Sequence, residues 1–139
     1  MKIAVTICEY NPFHNGHAYS LEQIKKTSGA DAVVCVMSGN FTERGEIAIM
    51  NKYVRAKHAV LAGADLVVEL PTVFATAPAE IFAGGAVKIA ESLSGERTLF
   101  FGIENGTKDG LIATASYLLR ESAEFKALLK EELKTGASF

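Results

Sequence analysis

Near the N-terminus the run His14-Asn15-Gly16-His17 sets two imidazoles three positions apart around a glycine. If a helix opens here, the two rings project from neighbouring positions at its N-terminus, where each can donate a hydrogen bond to a phosphate oxygen. The same helix end offers unpaired N–H groups and the positive end of its dipole to an anion. Glu9 to Asn15 reads as a polar loop stiffened by Pro12. Gly16 stands where a Cβ would obstruct packing or the approach of a ligand. This arrangement suits stabilisation of charge that develops on a phosphoryl group during attack at an α-phosphate. The competing reading is a pair of surface or capping histidines.

Other polar residues are candidates of lesser weight. Gly102, at the end of an apolar run, allows close approach of a base or ribose, or is a simple turn glycine. Glu104 just beyond could accept from a ribose hydroxyl or an adenine amine, or is a surface acid. The segment Ser38–Glu46 is polar and glycine-punctuated, and its Arg44 could steer an anionic group as a charged donor, or the segment is an ordinary long loop. His58 falls on an apolar helical stripe and reads as a core histidine. Cys8 and Cys35 lack C-x-x-C spacing, and with three His they are too scattered for a structural zinc site; buried, reduced thiols are expected.

These residues need elements to position them. Ile3–Cys8, Ala32–Met37, Asp65–Leu70 and Thr98–Gly102 are near-continuously apolar runs of strand length, as strands buried on both faces of a parallel sheet require. Helical patterns alternate with them. Ala18, Leu21 and Ile24 share one stripe, and Met50, Val54, His58 and Leu61 another, with Lys52 and Arg55 expected to face away. Gly29 and Gly63 stand at C-cap positions, and a third helix is expected over about Pro78 to Leu93, weakened by Gly84-Gly85. The order β-α-β-α-β-α-β predicts an α/β doubly wound parallel sheet whose ligands sit at the carboxyl ends of the strands. Two further helical segments follow, Leu111–Leu119 and one carrying Phe125, Leu128, Leu129 and Leu133; Lys126, Lys130 and Lys134 mark a solvated face of the latter.

The 139 residues are 49% hydrophobic and 22% charged, which fits one folded domain over 1–139 and excludes general disorder. No run approaches the roughly 18 apolar residues of a membrane helix, and no signal peptide is evident, so a cytoplasmic location is expected. Fourteen Lys and Arg against sixteen Asp and Glu give a net charge of −2, which argues against a generally basic nucleic-acid coat.

H-x-G-H after an apolar strand and opening a helix resembles the signature of the nucleotidylyltransferase superfamily, with its Rossmann-like fold. Four longer blocks, the first containing this motif, sharpen the resemblance. Glu9-Tyr10-Asn11-Pro12-Phe13-His14-Asn15-Gly16-His17, Met37 to Glu46, Gly63 to Pro71 and Phe101-Gly102-Ile103-Glu104 together resemble the tRNA(Met) cytidine acetate ligase family. The resemblance implies an enzyme that activates acetate with ATP to acetyl-adenylate, then acetylates the wobble cytidine of elongator tRNA(Met). The family's ATP contacts map onto Ile7, Cys8, Glu9, Tyr10, Asn11, Pro12, Phe13, His14, Asn15, Gly16, His17, Ala18, Tyr19, Ser20 and Gly102, with His14 and His17 as the catalytic pair and Mg as the counter-ion of ATP. The alternatives are another adenylyltransferase of the superfamily and an inert nucleotide- or RNA-binding module.

The family's chain is longer, and Lys134–Phe139 resembles the start of a further motif. This implies either an N-terminal fragment or a truncated gene, without the Asn and Arg which complete the family's ATP site. The fourth strand would then be an edge, covered by the C-terminal helices or paired in a homodimer.

Overall fold

The apolar runs Ile3–Cys8 and Ala32–Met37 become strands here because helices cover both faces of the sheet at its centre. In the computed structural model, which describes residues 1–103 and 105–136, β1 (Lys2–Cys8), β2 (Ala32–Ser38), β3 (Leu66–Leu70) and β4 (Glu96–Phe100) form one parallel sheet in the order β3-β2-β1-β4. Register runs Ile3 with Ala32 and Cys8 with Met37 between β1 and β2, and Lys2 with Glu96 between β1 and β4. The chain winds outward through β2 and β3, then crosses to the far side of β1. That reversal is the doubly wound pattern, and it places a crevice at the carboxyl end of β1.

Each face of the sheet has its own core, because successive side chains of a strand point to opposite faces. Ala4, Val33, Cys35 and Met37 pack with Leu21 and Ile24 of α1 (Asn15–Ser28) and Ala59 of α2 (Lys52–Leu61). Ile3, Val5, Val34, Val36 and Leu70 pack on the other face with Ala75 of α3 (Thr72–Ala75) and with Ala86 and Ala90 of α4 (Ala79–Ser92). Gly29 caps α1 in the left-handed region at φ 59°, and Gly63, one residue beyond the α2 cap, has φ 116°. A Cβ on Gly85 would stand 2.6 Å from Cγ of Phe74, so the glycine inside α4 is a packing requirement of the α3–α4 contact.

Three expectations are corrected. The strand expected over Thr98–Gly102 runs instead over Glu96–Phe100, because an edge strand tolerates the charged Glu96 and Arg97, both exposed. The short α3 after Pro71 was not foreseen. The third correction is the largest: the stripe of Met50, Val54, His58 and Leu61 is not the buried face of its helix. Leu61 is 74% exposed, while Arg55, expected to face solvent, is fully buried beside Ala59. A guanidinium can bury here because backbone carbonyls receive it. Its Nε donates to the Met50 carbonyl at 3.0 Å, and its two terminal nitrogens donate to the carbonyls of Glu9 and Gly39.

The chain divides into two compact units, Met1–Gly102 and Ile103–Phe139. The second holds α5 (Lys108–Arg120) and α6 (Ala123–Lys134), capped by the hydroxyls of Thr107 and Ser122. Tyr117 and Phe125 meet edge to face at 5.9 Å, and Lys126 pairs with Glu121 at 2.9 Å. Glu104 and residues 137–139 lie outside the described residues, so the expectations placed on Glu104 and on the final motif find no structural account. No helix among the described residues is long and apolar enough to cross a membrane.

Candidate active site

At the carboxyl end of β1 the chain leaves the sheet and passes through Glu9 to His14 before α1 begins. Tyr10 takes a left-handed conformation, φ 51°, and turns its ring inward, where it is 4% exposed and its hydroxyl lies 3.5 Å from Sγ of Cys35. Burial pushes the Tyr10 phenol well above its ordinary range, so it stays protonated. The buried ring in turn supports an aromatic bed, with His17 4.9 Å and Phe13 4.9 Å away between ring centroids. Phe13 reaches the half-buried His58 at 6.4 Å.

The two histidines close the helix end on themselves. His14 is the N-cap: its Nδ1 accepts from the Gly16 amide at 3.1 Å, and Nδ1 of His17 accepts from the His14 amide at 3.3 Å. The rings stack with centroids 3.7 Å apart and planes 24° apart. With both Nδ1 atoms accepting, both ring protons sit on Nε2, directed away from the cap. The amides of His17 and Ala18 also have partners, both bonding the His14 carbonyl. The helix end therefore has fewer bare N–H groups than its sequence suggests, and two imidazole N–H donors stand in their place. Gly16 gives room for this, since a Cβ there would lie 3.0 Å from Cε1 of His14. Capping and anion binding use opposite nitrogens of the same rings, so the two readings of the pair are compatible.

A second loop, from Gly39 to Asn51, is stitched to the first. The Glu9 carboxylate accepts from the Glu43 amide at 2.8 Å, and the Asn11 side-chain oxygen accepts from the Ile49 amide at 2.7 Å. The Asn40 side-chain oxygen takes the Lys52 amide at 3.1 Å, at the start of α2. Between these loops and α4 opens a cavity of about 600 Å³, within the range of small-molecule sites. Ile7, Cys8, Glu9, Tyr10, Asn11, Pro12, His14 and His17 line it from the first loop, Thr42, Glu43, Arg44 and Glu46 from the second, and Phe82 from α4.

The charge in this lining is mixed: carboxylates of Glu9, Glu43 and Glu46 against the guanidinium of Arg44. Burial, and next the neighbouring His14, hold the His17 imidazole below its ordinary value of 6.5, so it is neutral at neutral pH. Burial likewise pushes the Cys8 thiol up, which keeps it from acting as a nucleophile. Among the described residues no group of three or more His, Cys, Asp or Glu is gathered to hold a metal ion.

The HIGH Nucleotidyl Transferase profile matches residues 1–139. The chain belongs to the HIGH nucleotidyl transferase family. Among the family's curated members, it is 54% identical over 139 residues to the tRNA(Met) cytidine acetate ligase of Acetivibrio thermocellus and 52% identical to that of Caldicellulosiruptor saccharolyticus. All of this chain aligns in both, with 34% of each relative, so the chain spans about a third of the length of the curated relatives it matches. A solved structure of Thermotoga maritima TmcAL bound with alpha-thio ATP superposes with a TM-score of 0.85 at 42% identity, covering 100% of this chain and 34% of that one. The apo form of the same protein gives 0.86.

Of the residues to which the resemblance assigned ATP contacts, the HIGH nucleotidyl transferase fold brings the eight first-loop residues named above to one cavity. Phe13, Asn15, Gly16, Ala18, Tyr19 and Ser20 do not line it: Phe13 belongs to the aromatic bed, and Tyr19 is 63% exposed. Gly102 does not line it either, and the space where its Cβ would stand is open. Glu43, Glu46, Thr42 and Phe82 were not singled out as candidates. The first three lie in the loop already noted for Arg44, whereas nothing in the sequence around Phe82 marks it for a site.

Proposed function

We propose that this chain carries the ATP-binding and activating part of a tRNA(Met) cytidine acetate ligase. The observation that carries the reading is the stacked, self-capped His14–His17 pair at the mouth of a nucleotide-sized cavity, in a chain 54% identical to a ligase of that name. ATP enters with its phosphates toward the Nε2–H donors of His14 and His17. The carboxylates of Glu9, Glu43 and Glu46 make bare ATP an unfavourable guest, so the nucleotide binds with Mg as its counter-ion. The protein supplies no cluster of ligands for that ion among the described residues, and no step is assigned to it.

In the reaction an acetate oxygen attacks the α-phosphorus, the bond to the bridging oxygen of the β-phosphate breaks, and acetyl-adenylate and pyrophosphate form. The imidazole donors stabilise charge that builds on the phosphoryl oxygens; a donor of this kind is worth on the order of 10²–10³ in rate. The exocyclic amine of the wobble cytidine of elongator tRNA(Met) then attacks the acetyl carbonyl and releases AMP. Arg44, exposed in the second loop, is the group that attracts acetate. A second copy of the chain pairs along β4, the last strand in the sheet order.

Acetate-dependent exchange of labelled pyrophosphate into ATP tests the activation step. Exchange that requires acetate supports the reading. Exchange that depends instead on a phosphorylated substrate would move the chain to another adenylyltransferase of the superfamily.

A further inference from the structure

Arg55 has no role in the chemistry just described, yet it is fully buried, and its three hydrogen bonds end on three separate stretches of chain. One is the Glu9 carbonyl, in the loop after β1. Another is the Gly39 carbonyl, where the chain leaves β2. The third is the Met50 carbonyl, just before α2. No carboxylate lies within ion-pair distance of the guanidinium among the described residues; its hydrogen bonds all end on backbone carbonyls, with the carboxylates of Glu9 and Glu69 as more distant opposite charges. Only a planar fork with several donors can serve three carbonyls that converge from different directions; an ammonium presents a compact point charge.

We infer that Arg55 is the positioning residue of the nucleotide loops. It fixes the Glu9 carbonyl against the Gly39 carbonyl, and so sets the spacing between the two loops whose facing residues line the cavity. Glu9 is held at both ends: its carbonyl takes Arg55 and its carboxylate takes the Glu43 amide. At Gly39 the missing side chain leaves room for Glu69, since a Cβ there would lie 2.3 Å from its Oε1, while its Oε2 pairs with Lys52 at 2.6 Å. The inference rests on the reading of the cavity as an ATP site, and its test separates the two.

Arg55→Lys and Arg55→Gln are compared with wild type and with Lys57→Ala, a control on the exposed side of α2. Two readouts are taken where circular dichroism shows each protein folded: the affinity for MgATP by calorimetry, and the backbone amide NMR signals of Glu9–Gly16 and Asn40–Glu46 without nucleotide. Both Arg55 variants are expected to bind MgATP about ten- to a hundred-fold more weakly, with shifted signals in both loops, while Lys57→Ala matches wild type. Should neither variant fold, Arg55→Ala is purified with methylguanidinium present, whose return to the cavity restores loop signals and affinity together. Folded variants with wild-type affinity and unshifted loop signals overturn the inference, as does a methylguanidinium-rescued fold without rescued loops. Wild type that binds no MgATP overturns the ATP reading, while the loop signals still decide whether Arg55 sets the loops.

Discussion

At the scale of the residue, each imidazole of the His14–His17 pair has two jobs on two nitrogens, and this fixes how the pair responds to pH. Protonating His17 places a proton on Nδ1, the atom that accepts from the His14 amide, and adds a charge against a ring 3.7 Å away. Burial, and next the neighbouring His14, hold its ionisation below 6.5 in the folded protein. The unfolded chain then binds the proton more readily than the folded one, so the neutral ring's contribution to stability is complete above about pH 6.5 and is lost as pH falls through the lower, folded value. Proton NMR of the imidazole signals should show His17 titrating below 6.5. Thermal melts of His17→Asn, which keeps an acceptor near Nδ1, should lose less stability than wild type between neutral pH and pH 5. Equal losses in the two proteins would contradict the coupling. At the other loop contact, Glu9→Ala removes a charge-assisted acceptor from the Glu43 amide. Hydrogen exchange at Glu43 should quicken about ten- to a hundred-fold, the equivalent of roughly 1.5–3 kcal/mol.

At the scale of the element, what the sequence made legible follows from what determines each piece. The first three strands can be read from composition because apolar side chains of each pack on both faces of the sheet, and β1 and β2 are nearly continuous apolar runs. The start of α1 is equally readable, since His14, Gly16 and His17 act within one turn of one another, and Gly29 marks the other end. Arg55 is the opposite case. Periodicity assigns a charged side chain to solvent, and only the convergence of carbonyls from positions 9, 39 and 50 reverses that; no local pattern carries it. The lining residue Phe82 is hidden for the same reason, because it reaches the cavity only through the packing of α4 on the sheet. Gly84-Gly85 was read as a weakness in α4, whereas Gly85 is the point where Phe74 crosses it. Gly85→Ala should therefore destabilise the fold despite the higher helix propensity of alanine, by about 1–3 kcal/mol of overpacking in denaturant unfolding, while Gly84→Ala, which meets open space, should not. A stabilised Gly85→Ala protein would show that Phe74 moves freely.

At the scale of the whole molecule, a net charge of −2 and three carboxylates at the cavity leave little long-range attraction for a polyanion. Recognition of ATP must then come from short-range donors in a shaped site. This chain by itself should not retain elongator tRNA(Met) in a filter-binding assay at physiological salt, whereas MgATP should still bind; tight tRNA retention would show a basic surface stronger than the composition allows. The cavity at the end of β1 is the proposed ATP site, with His14 and His17 as its phosphate donors. The most direct measurement is calorimetric titration of MgATP into wild type, His14→Ala and His17→Ala. Wild type should bind, and each substitution should weaken binding about ten- to a hundred-fold, the loss of one donor to a charged oxygen. Unchanged affinity in both folded variants would contradict the assignment.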